Sequence, residues 1–237
     1  MENLNSTKEL QEESFLSKKL ERRSFLRFAG AGAAGMALVA SGCIKDPAMP
    51  NMNGEGIYIG SGDIAILNYA YALEQLEAAF YTEVVAKASM NNLSTLEKTY
   101  MQDIRDHEIA HREFFKAALG SNAIPSLTVD FSSIDFTKRD GANGILAVAA
   151  AFENLGVAAY NGAGYLIKDT NYLIIAGQIV SVEARHAALI NDLISNGTFA
   201  KDTDANGLDK EKTASEVLAI AGTYIKDKLN VKDFPTA

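Results

Sequence analysis

The chain carries the same pair of short patterns twice, in the same order. Each copy begins with a glutamate that is followed seven residues later by a tyrosine, and a Glu-x-x-His motif comes further along the chain. The first copy consists of Glu74, Tyr81, Glu108 and His111, and the second of Glu153, Tyr160, Glu183 and His186. Two of the three histidines in the chain thus occupy equivalent positions. Duplication of a two-helix unit is the simplest explanation.

The spacing within each copy fits an α-helix. Residues three apart lie on one helix face, one turn above each other, so the Glu and His of each Glu-x-x-His can reach the same ion. A separation of seven residues is two turns, which places each tyrosine on the same stripe as its glutamate. The repeat therefore predicts four helices that bring four carboxylates and two imidazoles together.

These six side chains have the chemistry of a metal site. Carboxylates and imidazoles suit iron, manganese or zinc, and two bridging carboxylates can hold two such ions. Four acids in a bundle core without cations would be strongly unfavourable, because buried charge must be paired. A lone Glu-x-x-His often lies on a solvated helix surface, but the repetition favours a dinuclear centre inside a four-helix bundle.

The order of these motifs resembles that of the ferritin-like di-iron carboxylate superfamily, over about residues 63–199. The resemblance implies an all-α fold, a four-helix bundle with a long crossover between helices two and three. It also implies a role for each ligand: Glu74 and Glu153 as outer carboxylates, Glu108 and Glu183 as metal bridges, and His111 and His186 as nitrogen ligands. Iron is the preferred metal, with manganese as the alternative.

A narrower resemblance involves the C-terminal part of the chain. The stretches 206–209 and 215–220 are similar to a bacterial branch of desiccation-associated ferritin-like proteins. Thr213 and Glu216 form a capping box that predicts a fifth helix, continuing to about Leu229. A second box, Ser94 with Glu97, predicts the start of helix two.

Two other ionisable residues lie close to the motifs. Glu77 is one turn beyond Glu74 and is a possible seventh ligand, although its counterpart in the repeat is Gly156. The alternative is that Glu77 lies beside the site without binding metal. His107 precedes Glu108 and points about a quarter-turn away, which favours the surface or a contact with a ligand over direct coordination.

The two tyrosines of the repeat also have two interpretations. Tyr81 and Tyr160 either fill space in the core or donate a hydrogen bond to a ligand carboxylate. Four further polar residues are candidates for orienting the imidazoles: Asp103, Asp106, Asn191 and Asp192.

The amino terminus has the pattern of an export signal. Twin arginines at 22–23 precede an uncharged run at 28–42, and together they predict a twin-arginine signal peptide over residues 1–42. The run is about 15 residues long, too short for a stable membrane span. The small residues at 40–42 resemble a lipoprotein cleavage site and predict a mature protein that begins at lipidated Cys43. A free thiol is the alternative, since Cys43 is the only cysteine.

These signals divide the chain into four parts. Residues 1–42 form the signal peptide, 43–62 the lipid attachment and a flexible spacer, 63–199 the bundle, and 200–237 a linker and the C-terminal helix. The lipid would anchor the exported protein at the membrane, in the periplasm or cell envelope. The net charge of −8 argues against nucleic acid as a partner.

Two classes of function fit this sequence. The first is an enzyme whose di-metal centre oxidises ferrous ion with oxygen or peroxide, in protection against oxidative stress. The second is a non-catalytic metal-binding or structural stress protein of the desiccation type. In either case we expect a monomer or small homo-oligomer, because the anchor and the fifth helix would leave few faces free for assembly into a cage.

Overall fold

The computed structural model describes residues 56–236, which are mostly helical and confirm the all-α fold class. The predicted spacing of the motifs corresponds to four long helices, and a short fifth helix follows them. They are α1 (Gly62–Ala86), α2 (Thr95–Leu119), α3 (Ile145–Gly164), α4 (Thr170–Ile194) and α5 (Ala214–Ala221). A single 3₁₀ turn, Gly120–Asn122, follows α2.

The four long helices form two hairpins that pack together as a bundle. Helix α1 packs along α2, and α3 packs along α4. The segment 123–144 is the predicted long crossover that connects the hairpins. Helix α1 is apolar on most sides and is buried accordingly, whereas α2 has a polar outer face. The bundle core therefore lies around α1 and α3, between the two hairpins.

The start of α2 is fixed by the capping box that the sequence predicts. The Ser94 side chain accepts a hydrogen bond from the Glu97 amide, and the Glu97 carboxylate accepts one from the Ser94 amide. Arg139 of the crossover donates to the same carboxylate at 2.7 Å and to the Leu193 carbonyl at 2.9 Å. The crossover is thereby joined to both hairpins.

Part of the predicted spacer packs on the bundle. A short strand β1 (Ile57–Tyr58) pairs in parallel with β2 (Leu229–Asn230). Ile59 is fully buried, and the Asn68 amide donates to its carbonyl. These residues belong to the predicted spacer, but their alternating apolar side chains are buried against the bundle. Residues 43–55 of the spacer, including Cys43, and the signal peptide lie outside residues 56–236.

The fifth helix is about two turns shorter than predicted. Its capping box is present, with the Thr213 hydroxyl accepting from the Glu216 amide at 3.3 Å. The helix ends at Ala221, and Gly222 forms its C-cap. Beyond this cap the chain bonds to the crossover, where the Lys226 amide donates to the Thr128 carbonyl at 2.9 Å.

Helix α4 is the one helix of residues 56–236 that is long and apolar enough, by length and composition, to cross a membrane. Its mean hydropathy reaches 1.4, yet it also carries Glu183 and His186 on a face that is buried in the bundle. Helices of soluble cores pass the same test, and its packing along α3 makes it a bundle helix.

Candidate metal centre

Each of the four long helices supplies part of one buried cluster. Glu74 comes from α1, Glu153 from α3, and each Glu-x-x-His motif from α2 or α4. All four carboxylates of the repeat are fully buried, and His186 is 5% exposed. Helical spacing directs these side chains inward, and packing of the two hairpins brings them together.

The cluster consists of two overlapping groups. In each group, one oxygen or nitrogen atom from every residue lies within 4.8 Å of the others. Both groups contain Glu108 and Glu183. The first group adds Glu74 and His111, and the second adds Glu153 and His186. Each group could hold one ion, with the two shared carboxylates bridging the pair.

The distances show an approximate two-fold symmetry that matches the sequence repeat. His111 Nδ1 lies 2.9 Å from a Glu183 oxygen and 3.4 Å from a Glu74 oxygen. His186 Nδ1 lies 2.8 Å from a Glu108 oxygen and 3.4 Å from a Glu153 oxygen. Each imidazole is therefore closest to the shared carboxylate of the opposite Glu-x-x-His motif.

The atoms that face the centre make no well-oriented hydrogen bond within residues 56–236, although each imidazole Nδ1 lies within 2.9 Å of a carboxylate oxygen. Buried polar atoms are almost always paired, and each unpaired one costs about 1–3 kcal/mol. Metal coordination would satisfy them all, so the residues fit a dinuclear site. The unpaired atoms are one carboxylate oxygen each of Glu74 and Glu153, both of Glu108 and Glu183, and Nδ1 of His111 and His186.

The outer carboxylates are held by phenols from the other half of the repeat. The Tyr81 hydroxyl on α1 donates to Glu153 at 2.5 Å, and the Tyr160 hydroxyl on α3 donates to Glu74 at 2.5 Å. Each tyrosine therefore donates its hydrogen bond to the outer glutamate of the other helix, not to the one on its own helix. One oxygen of each carboxylate is thereby fixed, and the second faces the cluster.

Comparison with known proteins agrees with this geometry. Residues 62–196 match the family model of the ferritin-like domain. The chain belongs to the ferritin-like domain family. The match covers α1 to α4 and with them all six clustered side chains. A search of curated proteins finds no match.

Burial and mutual contacts shift the pKa values of several clustered groups. Burial, together with repulsion from Glu183, raises the pKa of Glu108 to about 8. Burial would also raise the pKa of Glu183, but contacts with the two imidazoles hold it at about 2. Burial alone would lower the pKa of His186, whereas its carboxylate contacts raise it to about 12. An ion entering the cluster must displace some of these protons.

Glu77 lies near the cluster but in neither group of four. It is 4% exposed, and burial and the surrounding carboxylates raise its pKa well above the usual range. A side-chain oxygen of Glu77 would lie 3.1 Å from a Cβ added at Gly156. The absence of a side chain at Gly156, its counterpart in the repeat, thus makes room for the Glu77 carboxyl group.

His107 touches a ligand from outside the cluster. Its Nδ1 lies 2.9 Å from Nε2 of His186, and the two rings stack at 5.1 Å. Since His186 Nδ1 faces the carboxylates, this contact orients the ring with that nitrogen inward. The sequence predicted that His107 lies at the surface or contacts a ligand. His107 does both, because it is exposed and also contacts His186. Val182, the equivalent residue of the repeat, offers no such contact.

Two asparagines join α3 to α4 beside the site. The Asn191 amide donates to the Asn154 side-chain oxygen at 3.0 Å, and Asn154 donates back to Asn191 at 3.2 Å. Asn191 was a candidate for orienting an imidazole, but it bonds Asn154 instead. Asn154 follows Glu153 directly, so the pair fixes the part of α3 that carries this carboxylate.

Proposed function

We propose that this chain is an exported ferritin-like protein that binds two metal ions and oxidises ferrous ion with oxygen or peroxide in stress protection. The observation that carries the proposal is the pair of four-residue groups that share Glu108 and Glu183. Iron is the preferred metal and manganese the alternative, because each group offers three carboxylates and a single nitrogen.

The residues around the cluster prepare it for this chemistry. When bound, a pair of such ions would supply two electrons to one oxidant. Tyr81 and Tyr160 hold the outer carboxylates in fixed positions, and the asparagine pair and His107 fix neighbouring groups. Full burial of the carboxylates excludes bulk water, which strengthens every electrostatic interaction within the site.

Metal stoichiometry tests the ligand assignment. Replacing His111 or His186 with alanine removes the only nitrogen of one group and should lower bound metal well below two ions per chain. Glu113→Ala is a suitable control, because Glu113 is exposed on α2 and belongs to neither group. Unchanged stoichiometry in both histidine variants would contradict the assignment.

Oxygen uptake separates the two classes of function. Ferrous ion added aerobically to the protein should be oxidised with consumption of oxygen, and peroxide should substitute for oxygen as the oxidant. Binding of two ions per chain without consumption of either oxidant would favour the non-catalytic, structural alternative. Metal analysis of the natively exported protein would identify the metal itself.

We also propose that the protein is lipid-anchored at the cell envelope through Cys43. The support is the sequence of residues 1–43, with its twin arginines and the small residues before Cys43. Mass spectrometry of the native protein should find a diacylated amino terminus at Cys43, since two acyl chains give lasting membrane attachment. Cys43→Ser should abolish both lipid and anchoring. A different mature terminus would contradict this location.

A monomer or small oligomer is the proposed assembly. The C-terminal segment covers part of α3, where the Lys212 amide donates to the Ala158 carbonyl at 3.0 Å and Asn161 donates to the Lys210 carbonyl at 3.1 Å. A covered face is not available for the many contacts of a cage. Light scattering should report a small particle, and a shell storing hundreds of irons would refute this.

The net charge of −8 disfavours nucleic acid as a partner.

A further inference from the structure

An apolar pocket lies between the four long helices, towards the end of the bundle where α3 turns into α4. Its lining is almost entirely hydrocarbon, with side chains from every helix of the bundle. Among them are Ile66, Ala70 and Leu73 of α1, Phe115 of α2, Ala163 of α3 and Ile175 of α4. The pocket therefore lies between the helices of both hairpins and is partly open to solvent.

The pocket adjoins the metal centre. Leu73 lines it and directly precedes Glu74 in α1. Tyr160 also lines it, and the hydroxyl of Tyr160 donates to the Glu74 carboxylate. A molecule in the pocket is thus separated from an outer carboxylate by the ring of one tyrosine. The carboxylate cluster itself is fully buried, so an uncharged reactant needs such a path through the protein.

Size and polarity restrict what the pocket can hold. The space open to the centres of water-sized molecules is about 30 Å³. One water needs roughly 10–15 Å³ on that measure, and it also needs two or more polar partners. The pocket offers almost none, because the atoms exposed on its wall are nearly all carbon. A molecule of one or two non-hydrogen atoms, uncharged and weakly polar, fits best.

We propose that this pocket binds dioxygen and delivers it to the metal centre. Dioxygen is apolar and has the required size. Peroxide is a poor fit, because its hydroxyl groups would lose their hydrogen bonds to water in a hydrocarbon lining. The inference rests on the proposed oxidation of ferrous ion, and it selects dioxygen over peroxide as the oxidant that uses this route.

Dioxygen itself is the probe in the first test, because it is paramagnetic and speeds the relaxation of nearby methyl groups. The full chain is loaded with zinc, which is diamagnetic, and methyl relaxation is compared under oxygen and under nitrogen. Methyls of Ile66, Leu67 and Leu73 should relax markedly faster under oxygen. Those of Ile104 and Ile145, which are also buried but lie outside the pocket, should change much less.

Two alanines on α4 provide a matched pair of variants. The first is Ala176, which is half-buried and lines the pocket, so Ala176→Leu narrows the pocket. If this variant does not fold, Ala163→Val on α3 narrows the same pocket and replaces it. Ala188→Leu adds the same side chain at a half-buried position of α4 that faces a different, surface cavity. The oxygen effect should disappear in the pocket variants and remain in Ala188→Leu.

The second test measures oxygen dependence of ferrous oxidation at saturating iron. Ala176→Leu should raise KM for dioxygen at least about tenfold, because one methylene in an apolar pocket already has an effect of about this size. Oxidation driven by peroxide should be unchanged. Equal oxygen effects at pocket and comparison methyls would overturn the inference. So would a normal KM for dioxygen in a variant whose pocket signal is lost. If the wild type does not oxidise iron, the proposed function fails, while the methyl measurement still decides whether the pocket binds dioxygen.

Discussion

The close approach of the C-terminal segment to α3 leads to a sharp prediction about Gly162. A Cβ added at Gly162 would lie 1.9 Å from the Lys212 carbonyl oxygen and 2.8 Å from its carbonyl carbon. Ordinary non-bonded contact requires roughly 3.5 Å. Both atoms belong to backbone, so Gly162→Ala cannot be accommodated by a rotamer change and must displace the chain around Lys212.

The magnitude follows from three contributions. Overpacking costs about 1–3 kcal/mol. Displacement of Lys212 also breaks the hydrogen bond from its amide to the Ala158 carbonyl, which costs about 1 kcal/mol more. The higher helix propensity of alanine returns about 1 kcal/mol. We therefore expect Gly162→Ala to lower the free energy of unfolding by about 1–3 kcal/mol.

Gly177→Ala is the matched control. Gly177 lies in the middle of α4, is exposed, and has no atom within 4 Å of an added Cβ. Only helix propensity then changes, so this variant should be about 0.5–1 kcal/mol more stable than the wild type. The same substitution in two helices is thus expected to have opposite signs.

Denaturant unfolding followed by far-UV circular dichroism measures both changes. The slope of the transition should stay the same, because neither substitution alters the surface exposed on unfolding. If Gly162→Ala proved as stable as Gly177→Ala, the segment around Lys212 would not pack on α3 as described, and the reasoning would fail. Stabilisation of both variants would have the same meaning.

Three further predictions concern the metal centre. Tyr81→Phe and Tyr160→Phe each remove a hydrogen bond to an outer carboxylate and should weaken metal binding by about 10–100-fold in chelator competition; unchanged affinity would mean the phenols only fill space. Metal binding at pH 7 should release protons, because Glu108 with a pKa near 8 and His186 with a pKa near 12 hold them until an ion arrives. Metal affinity should therefore rise with pH. In calorimetry, the binding enthalpy should depend on the ionisation enthalpy of the buffer, and no such dependence would show that no protons are released. His107→Ala frees the His186 ring and should lower affinity for one of the two ions by about 10–100-fold, which a stoichiometric titration would resolve; equal loss at both ions would contradict it.

The local features of the fold could be predicted from the sequence because they depend on near neighbours in the chain. The seven-residue and three-residue spacings have helical periodicity, and their repetition indicates two equivalent hairpins. Both capping boxes join residues three apart, so their side chains meet wherever a helix starts. The need to neutralise buried acids then connects the motifs to a single centre, even though they lie on different helices.

The contacts between helices were decided only by the tertiary structure. Helical spacing placed Tyr81 on the stripe of Glu74, yet packing of α1 against α3 brings its hydroxyl to Glu153. The contact between His107 and His186 likewise joins residues that are 79 positions apart. After α5, the Lys226 amide pairs with the crossover, a contact that no local feature of the sequence marks. Periodicity fixes which face of a helix points inward, but the partner on the opposite helix depends on how far each helix is shifted and rotated against its neighbour.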